Sequence, residues 1–237
     1  MPKSSLQNPH CQHCDARHKS IFCDLAEEDL EELQYAKGCT TYKRGQIIFS
    51  EQGWPLGLYC INTGKVKLSQ SGVDGKDQIV RLAKDGDTLG YRALLSGDRY
   101  VNSAIALDDS SVCFIPKEVF FKLIEKNANL SLQIMRMLGE NLKSAQQRIT
   151  DMAQKPVRER LAEALLFLKE TYGFEEDGLT LNVPVSREDL ANMAGTATET
   201  TIRLLSDYKQ EGILELPGRK IKVINLPKLV KVANIHD

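Results

Sequence analysis

Between Asn129 and Met152 the chain holds no proline and a single glycine, Gly139. Over that stretch Met135, Leu138, Leu142, Ala145, Ile149 and Met152 recur at alternating spacings of three and four. An α-helix carries residues so spaced along one narrow stripe. The stripe holds no charge, and Lys143, Gln146, Gln147 and Arg148 flank it. The pattern predicts a long helix over 128–154 that pairs through this stripe with a second copy of the chain, making a homodimer.

That helix divides the sequence. Residues 25–127 begin with an acidic amphipathic segment, Leu25 to Leu33, and then read as short strands: Gln46 to Phe49, Leu58 to Ile61, Lys65 to Leu68, Gln78 to Leu82, Val101 to Leu107 and Val112 to Ile115. Val66 and Leu68 alternate with Lys65 and Lys67, the period of a half-buried strand. Gly45, Gly53, Asn62-Thr63-Gly64, Asp74-Gly75, Asp85-Gly86 and Ser96-Gly97 punctuate the runs as turns. Many short strands at such intervals predict a closed or two-layered β domain. Residues 155–237 read as helices with one short strand pair, the first helix running from Val157 to Tyr172 and stopping at Gly173. The whole is an α+β chain of four parts: a cysteine-containing segment 1–24, a β domain 25–127, the long helix 128–154 and a C-terminal domain 155–237.

The most specific stretch lies in the last part. Ser186-Arg187-Glu188-Asp189 has the form of a capping box, a serine with an acid three residues on. Leu190, Ala191, Met193 and Ala194 follow, then Gly195, then a second such start at Thr196-Ala197-Thr198-Glu199. The second helix sets Ala197, Thr201, Leu204, Leu205 and Tyr208 on one face and Thr198, Glu199, Ile202 and Arg203 on the other. Two short helices about a glycine, the second with a polar N-terminal face, form a helix–turn–helix, whose second helix reads base edges in the major groove. Arg203 has the geometry to bond guanine O6 and N7, and Glu199 to accept from cytosine N4. The pair could equally form a surface i,i+4 ion pair. The runs Gly212–Leu216 and Lys220–Ile224 about Pro217-Gly218 predict a hairpin wing that brings Arg219, Lys220 and Lys222 to phosphates. Residues 156–237 hold 11 basic against 13 acidic side chains, so affinity must come from placed contacts and two-fold symmetry rather than a bulk positive field.

The chain of 237 residues has a formal charge of −1 and no hydrophobic leader at its N-terminus. No run is long enough to span a membrane, so a cytoplasmic protein is expected, without a membrane partner. Its six cysteines are then not expected to serve as structural disulfides, and metal binding, redox chemistry or burial must account for them. Cys11, Cys14 and Cys23 stand together before the β domain with His13 and His18 nearby, while Cys39 and Cys60 fall in strand-like runs and read as core. Zinc, haem, a reversible dithiol and no function at all are each compatible with that spacing. There is no P-loop, no Gly-x-Ser-x-Gly and no His-Glu-x-x-His, so an enzyme is not expected.

A β-roll, a long dimer helix and a winged helix–turn–helix in this order resemble the family of the cyclic-AMP receptor protein and the anaerobic regulator FNR. The resemblance covers about residues 25–225 and is carried by Gly45-Gln46-Ile47-Ile48-Phe49, Gly57 to Ile61, Gly64 to Lys67 and Glu199-Thr200-Thr201-Ile202-Arg203-Leu204-Leu205. It implies a dimeric transcription regulator that binds two-fold-symmetric double-stranded DNA through Ser186, Thr196, Thr198, Glu199, Ile202, Arg203, Arg219 and Lys220, and that meets RNA polymerase. Ile202 departs from the polar residue of FNR. Where cyclic-nucleotide-binding members carry Glu and Arg ligands, this chain has Tyr91 and Asn102, so cyclic AMP is not expected. FNR-like members hold a [4Fe–4S] cluster on three cysteines before the roll and one within it. The matching residues are Cys11, Cys14, Cys23 and Cys113, with a longer gap before the third. The resemblance ranks this cluster above zinc, haem or a thiol switch. The alternative is a regulator whose roll binds a small effector near Arg92 and Arg99, with incidental cysteines.

Overall fold

The computed structural model describes residues 9–72 and 75–234. The expected turn residue Asp74 lies outside them. The chain divides into two compact units: Met1–Gln70 with Arg81–Leu142, and Ser71–Val80 with Lys143–Asp237.

Among the described residues the β domain holds eight strands: β1 Gly38–Tyr42, β2 Ile47–Phe49, β3 Gly57–Thr63, β4 Lys65–Ser71, β5 Asp77–Lys84, β6 Thr88–Leu89, β7 Ser103–Ala106 and β8 Ser110–Pro116. They form two four-stranded sheets in the orders β1-β8-β3-β6 and β2-β7-β4-β5. The first strand pairs with the last, the second with the next to last, and so inward. The topology is one long hairpin folded over on itself, which lets two antiparallel sheets face each other across a core. The alternation legible in the sequence is kept, with Val66 and Leu68 on β4 and Ala104 and Ala106 on β7 all buried. Gly57 is required by close approach, since a Cβ there would stand 2.2 Å from the Ile115 carbonyl oxygen and 2.5 Å from the Phe114 ring.

Helices close the first sheet. Ahead of the roll lie a 3-10 turn, Cys11–His13, and α1 Asp15–His18, followed by α2 Glu27–Ala36. α3 Tyr91–Ser96 sits between β6 and β7, and α4 Lys117–Lys126 leads into α5 Ala128–Gln154. Phe22, Leu25, Leu30 and Leu33 bury together with Leu58, Ile115, Phe120, Leu123, Leu130 and Ile134. The N-terminal segment from residue 9 is therefore part of the first unit's core and not a polar appendage.

The expected stripe on α5 is mostly not the side that packs within the chain. Leu130 and Ile134 are buried, while Met135, Leu142 and Ile149 are 59%, 61% and 69% exposed. Ala145 is exposed too, and Leu138 is half-buried against the first unit's core. Met152 turns inward, its sulfur 2.9 Å from where a Cβ on Gly195 would stand.

The second unit holds α6 Val157–Tyr172, α7 Arg187–Ala194, α8 Thr198–Gln210, β9 Leu214–Glu215, β10 Lys222–Val223 and α9 Leu226–Ala233. Leu161, Leu165, Leu168, Leu190, Leu205, Tyr208, Ile213 and Leu229 make its core. The wing strands are shorter than their sequence runs. They pair only Leu214 with Val223 and Glu215 with Lys222. α9 was not expected from the sequence. Its signals are Asn225, whose side chain accepts from the Lys228 amide, and a proline in the first turn.

Gly57→Ala is expected to lower the stability of the roll by about 1–3 kcal/mol, because strand β8 must shift to admit the methyl group. Urea denaturation followed by circular dichroism measures it.

Candidate nucleic-acid interface and cysteine group

α7 begins as the sequence implied. The Ser186 hydroxyl accepts from the Asp189 amide at 2.9 Å, and the Asp189 carboxylate accepts from the Ser186 amide at 2.8 Å. The Ser186 hydroxyl also donates to that carboxylate at 2.7 Å, so it is committed to the cap. The helix ends at Gly195, left-handed at φ 62° and ψ 52°, a conformation natural to glycine. The second capping box does not form. The Thr196 amide bonds back to the Ala191 carbonyl at 3.1 Å, which makes Thr196 part of the α7 terminus. α8 starts at Thr198 with Ala197 as an N-cap that offers no side-chain bond.

Thr201, Leu204, Leu205 and Tyr208 bury one face of α8. Ala197, assigned to that face from spacing, is exposed, because it precedes the first helical turn. Glu199, Ile202 and Arg203 are exposed and Thr198 is half-buried. Among the described residues Glu199 and Arg203 form no ion pair with each other, and both side chains are exposed. The exposed N-terminal half of α8 carries one carboxylate, one guanidinium and one aliphatic side chain.

Three arginines hold this presentation rigid. Arg160 on α6 donates from Nε to the Ala194 carbonyl at 2.8 Å and from its terminal nitrogens to Lys155, Gly195 and Met152 at 2.7, 3.3 and 3.4 Å. Those carbonyls end α7 and α5, where intrahelical partners run out and the helix dipole is negative. Arg148 donates to the Met193 carbonyl at 3.2 Å. Arg158 grips Glu211 through both carboxylate oxygens at 2.8 Å and lies 4.8 Å over the Tyr208 ring. On the wing, Lys220 pairs with Glu175 at 2.6 Å and Lys222 with Asp177 at 3.6 Å, while Arg219 is exposed at the turn. Exposed pairs of this kind are weak and exchange readily.

In the first unit, Arg17 organises the cysteine-bearing segment. Its Nε donates to the Cys11 carbonyl at 2.9 Å, and one terminal nitrogen donates to the Cys23 and Phe22 carbonyls at 2.7 and 3.3 Å. One guanidinium thus folds the long stretch between Cys14 and Cys23 back on itself. Cys11 is buried, with its amide on Gln34. Burial pushes its thiol pKa up, and the Lys37 ammonium partly opposes this. Cys14 Sγ donates to Asn62 Oδ1 at 3.3 Å, and the Gln133 amide reaches Cys23 Sγ at 3.9 Å.

Cys113 departs from its expected role. It lies opposite Cys39 in the β1–β8 register, and the two form a disulfide. The bond between Cys39 and Cys113 takes up the sulfur assigned to a cluster and removes Cys39 from the free thiols. On its other side Cys113 faces Cys60 in the β3–β8 register. Burial pushes the Cys60 thiol far up, and charge on Cys11 or Cys14 would push it further. Cys60, which spacing marked only as core, packs against the cluster that contains Cys11, and Cys14 is bonded to Asn62 further along the same strand. Among the described residues no three Cys, His, Asp or Glu side chains are disposed to hold a metal ion.

Residues 39–127 match the family model of the cyclic nucleotide-binding domain, and residues 159–232 match that of the Crp-like helix-turn-helix domain. The chain is 31% identical over 230 residues to the fumarate and nitrate reduction regulatory protein of Vibrio cholerae, covering 95% of this chain and 91% of that one. The chain belongs to the CRP/FNR family of transcriptional regulators. The Escherichia coli K12 protein of the same name is 31% identical over 228 residues, 94% of this chain and 90% of that one. Among solved structures, FixK2 from Bradyrhizobium japonicum superposes with a TM-score of 0.74 at 25% identity, over 85% of this chain and 99% of that chain. The fold and the DNA-binding class of the C-terminal unit follow from these likenesses. No helix among the described residues is long and apolar enough to cross a membrane.

In a family whose roll is a cyclic nucleotide-binding domain, the side chain of Tyr91 is spoken for. It is buried, and its hydroxyl accepts from Arg81 at 3.0 Å and from Asn141 on α5 at 2.9 Å. Of the two cations considered for another effector, Arg99 lies 4.8 Å over the Trp54 ring and donates to the Gln52 carbonyl at 3.0 Å. Arg92 is exposed on α3.

Arg160 was missed by sequence reading, since a lone arginine on an amphipathic helix carries no pattern. Arg160→Ala is expected to destabilise the C-terminal unit by about 2–3 kcal/mol, leaving buried carbonyls without donors. Thermal denaturation against the parent chain checks this.

Proposed function

We propose that this chain is a homodimeric, sequence-specific transcription regulator that acts in the cytoplasm on double-stranded DNA and responds to oxygen or redox state through its N-terminal cysteines. The observation that carries the DNA-binding part is α8. One face is locked into a core, its N-terminus is set by a left-handed glycine, and Glu199, Ile202 and Arg203 are exposed. Two such helices related by two-fold symmetry enter successive major grooves about 34 Å apart. Arg203 reads guanine and Glu199 reads cytosine N4, with Thr198 and Ile202 on the flanking bases. Thr196, Arg219 and Lys220 meet the backbone, Lys220 exchanging Glu175 for phosphate. Ser186 acts through its cap, setting where α7 begins. RNA polymerase is the partner that the family implies.

The exposed apolar stripe on α5 supports the dimer. Met135, Leu142 and Ile149 are exposed together with Ala145, and the half-buried Leu138 and Met152 complete the stripe.

The redox part rests on the cysteines and on the names of relatives devoted to fumarate and nitrate reduction. Thiolates are the chemistry that ligates a [4Fe–4S] cluster, so the donor set Cys11, Cys14, Cys23 and Cys113 has the right elements. The arrangement described does not fit one, because Cys113 is bonded to Cys39 and, among the described residues, no three such ligands gather. The same holds for zinc. The cysteines therefore enter this reading as thiols, and iron, sulfide and zinc analysis of anaerobically purified protein tests that assignment.

Arg203→Ala is expected to cost about 1–3 kcal/mol at the specific site and to relax preference at one base pair. Fluorescence anisotropy on specific and scrambled duplexes measures it, and equal loss on both would reassign Arg203 to phosphate. Leu142→Glu places two like charges across the stripe and is expected to turn a dimer into a monomer. Sedimentation velocity reads the change, and an unchanged dimer would move the interface elsewhere.

A further inference from the structure

Three cysteines lie in one row across the first sheet. Cys39 on β1, Cys113 on β8 and Cys60 on β3 are register partners in turn. Directly opposed residues on antiparallel strands point to the same face, so the three sulfurs share one surface. Cys60 in turn packs against the buried cluster that contains Cys11, and Cys14 Sγ bonds to Asn62, two residues further along β3. The disulfide joins the edge strand β1 to the middle strand of the row, β8, and the two sulfurs differ in access. Cys39 is half-buried on β1, which is an edge strand, whereas Cys113 is buried on β8 between two neighbours. The Lys37 ammonium stands 3.9 Å from Cys39 Sγ, where negative charge develops when a mixed disulfide at Cys39 is resolved.

We propose that Cys39 is a thiol–disulfide exchange site, and that its reversible bond to Cys113 withholds the Cys113 sulfur from Cys60, Cys11 and Cys14. The regulatory meaning of this site rests on the redox reading above, but its chemistry does not. A dithiol reductant supplies the electrons. Its thiolate attacks Cys39 Sγ, the more accessible sulfur. The Cys39–Cys113 bond breaks, and Cys113 leaves as a thiolate that takes up a proton. The second thiol of the reductant then attacks its own sulfur in the mixed disulfide, releasing Cys39 as a thiolate beside Lys37. The products are two protein thiols and one oxidised dithiol. Disulfides in reducing compartments are typically transient or redox-sensing, in keeping with such a site.

The test uses the full chain. Air-exposed protein, and the same protein held in dithiothreitol under native conditions, are acid-quenched, alkylated with N-ethylmaleimide and digested without reductant for mass spectrometry. The expected result is a linked peptide pair carrying Cys39 and Cys113 in the first sample and its loss in the second. Cys39→Ser should leave Cys113 alkylated in air, while Cys60→Ser should keep the link. Three results would overturn the proposal: Cys39 and Cys113 both alkylated in air-exposed protein, Cys113 linked to another cysteine, or a link that persists in dithiothreitol until the protein is denatured. The wild-type comparison stands even where Cys39→Ser does not fold. Because the readout is peptide mass, failure to bind DNA would count against the regulator reading alone.

Discussion

Strand β8 is hydrogen-bonded on both sides, to β1 and to β3, and the first unit is organised about that double pairing. It closes the outermost turn of the nested hairpin. It also brings Gly57 under the Phe114 ring and sets the floor on which Phe120, Leu123 and the N-terminal segment pack. Register follows from the same pairing, because a slip of one residue would turn Val112, Cys113 and Ile115 to the opposite face. Cys39, Cys113 and Cys60 meet for this reason and no other. Their chemistry is a by-product of where a buried strand must sit.

Two arginines, one in each unit, perform the same task. Arg17 collects the Cys11, Phe22 and Cys23 carbonyls, and Arg160 collects those that end α5 and α7. Backbone carbonyls left without partners away from water are costly, and a guanidinium offers five donors in a fixed fork. In each case one side chain replaces the regular hydrogen bonds that an irregular stretch lacks. Around Arg17 this gives a folded cysteine segment. Around Arg160 it gives a helix–turn–helix in which the exposed face of α8 is free to be polar, since its position is secured from behind.

Much of this architecture was legible in the residues. Alternation on β4, the period of α5, the capping box at Ser186 and the glycine at position 195 each express a local rule, and each appears as read. The misses have local causes as well. The Thr196 to Glu199 stretch has the composition of a capping box, but the tight left-handed turn uses the Thr196 amide to finish α7, so α8 starts one residue later than the motif suggests. The wing strands are short because only two residue pairs hold the ladder, with Lys220 and Lys222 turned to Glu175 and Asp177. α9 escaped notice because its eight residues carry only Leu229 and Ala233 as buried anchors, too few to show a period.

The sequence by itself determined the order of the parts, the long helix with its uncharged stripe, the helix–turn–helix and the side chains on its exposed face. These depend on spacings of two to four residues, which backbone geometry turns directly into faces. Tertiary structure alone decided which cysteines meet. Spacing along the chain marked Cys113 as a partner for Cys11, Cys14 and Cys23 and left Cys39 and Cys60 as core. The strand pairing instead joins Cys113 to Cys39 across a separation of 74 residues and sets Cys60 on its other side. Register between distant strands is set by the whole buried face at once, and no local spacing records it.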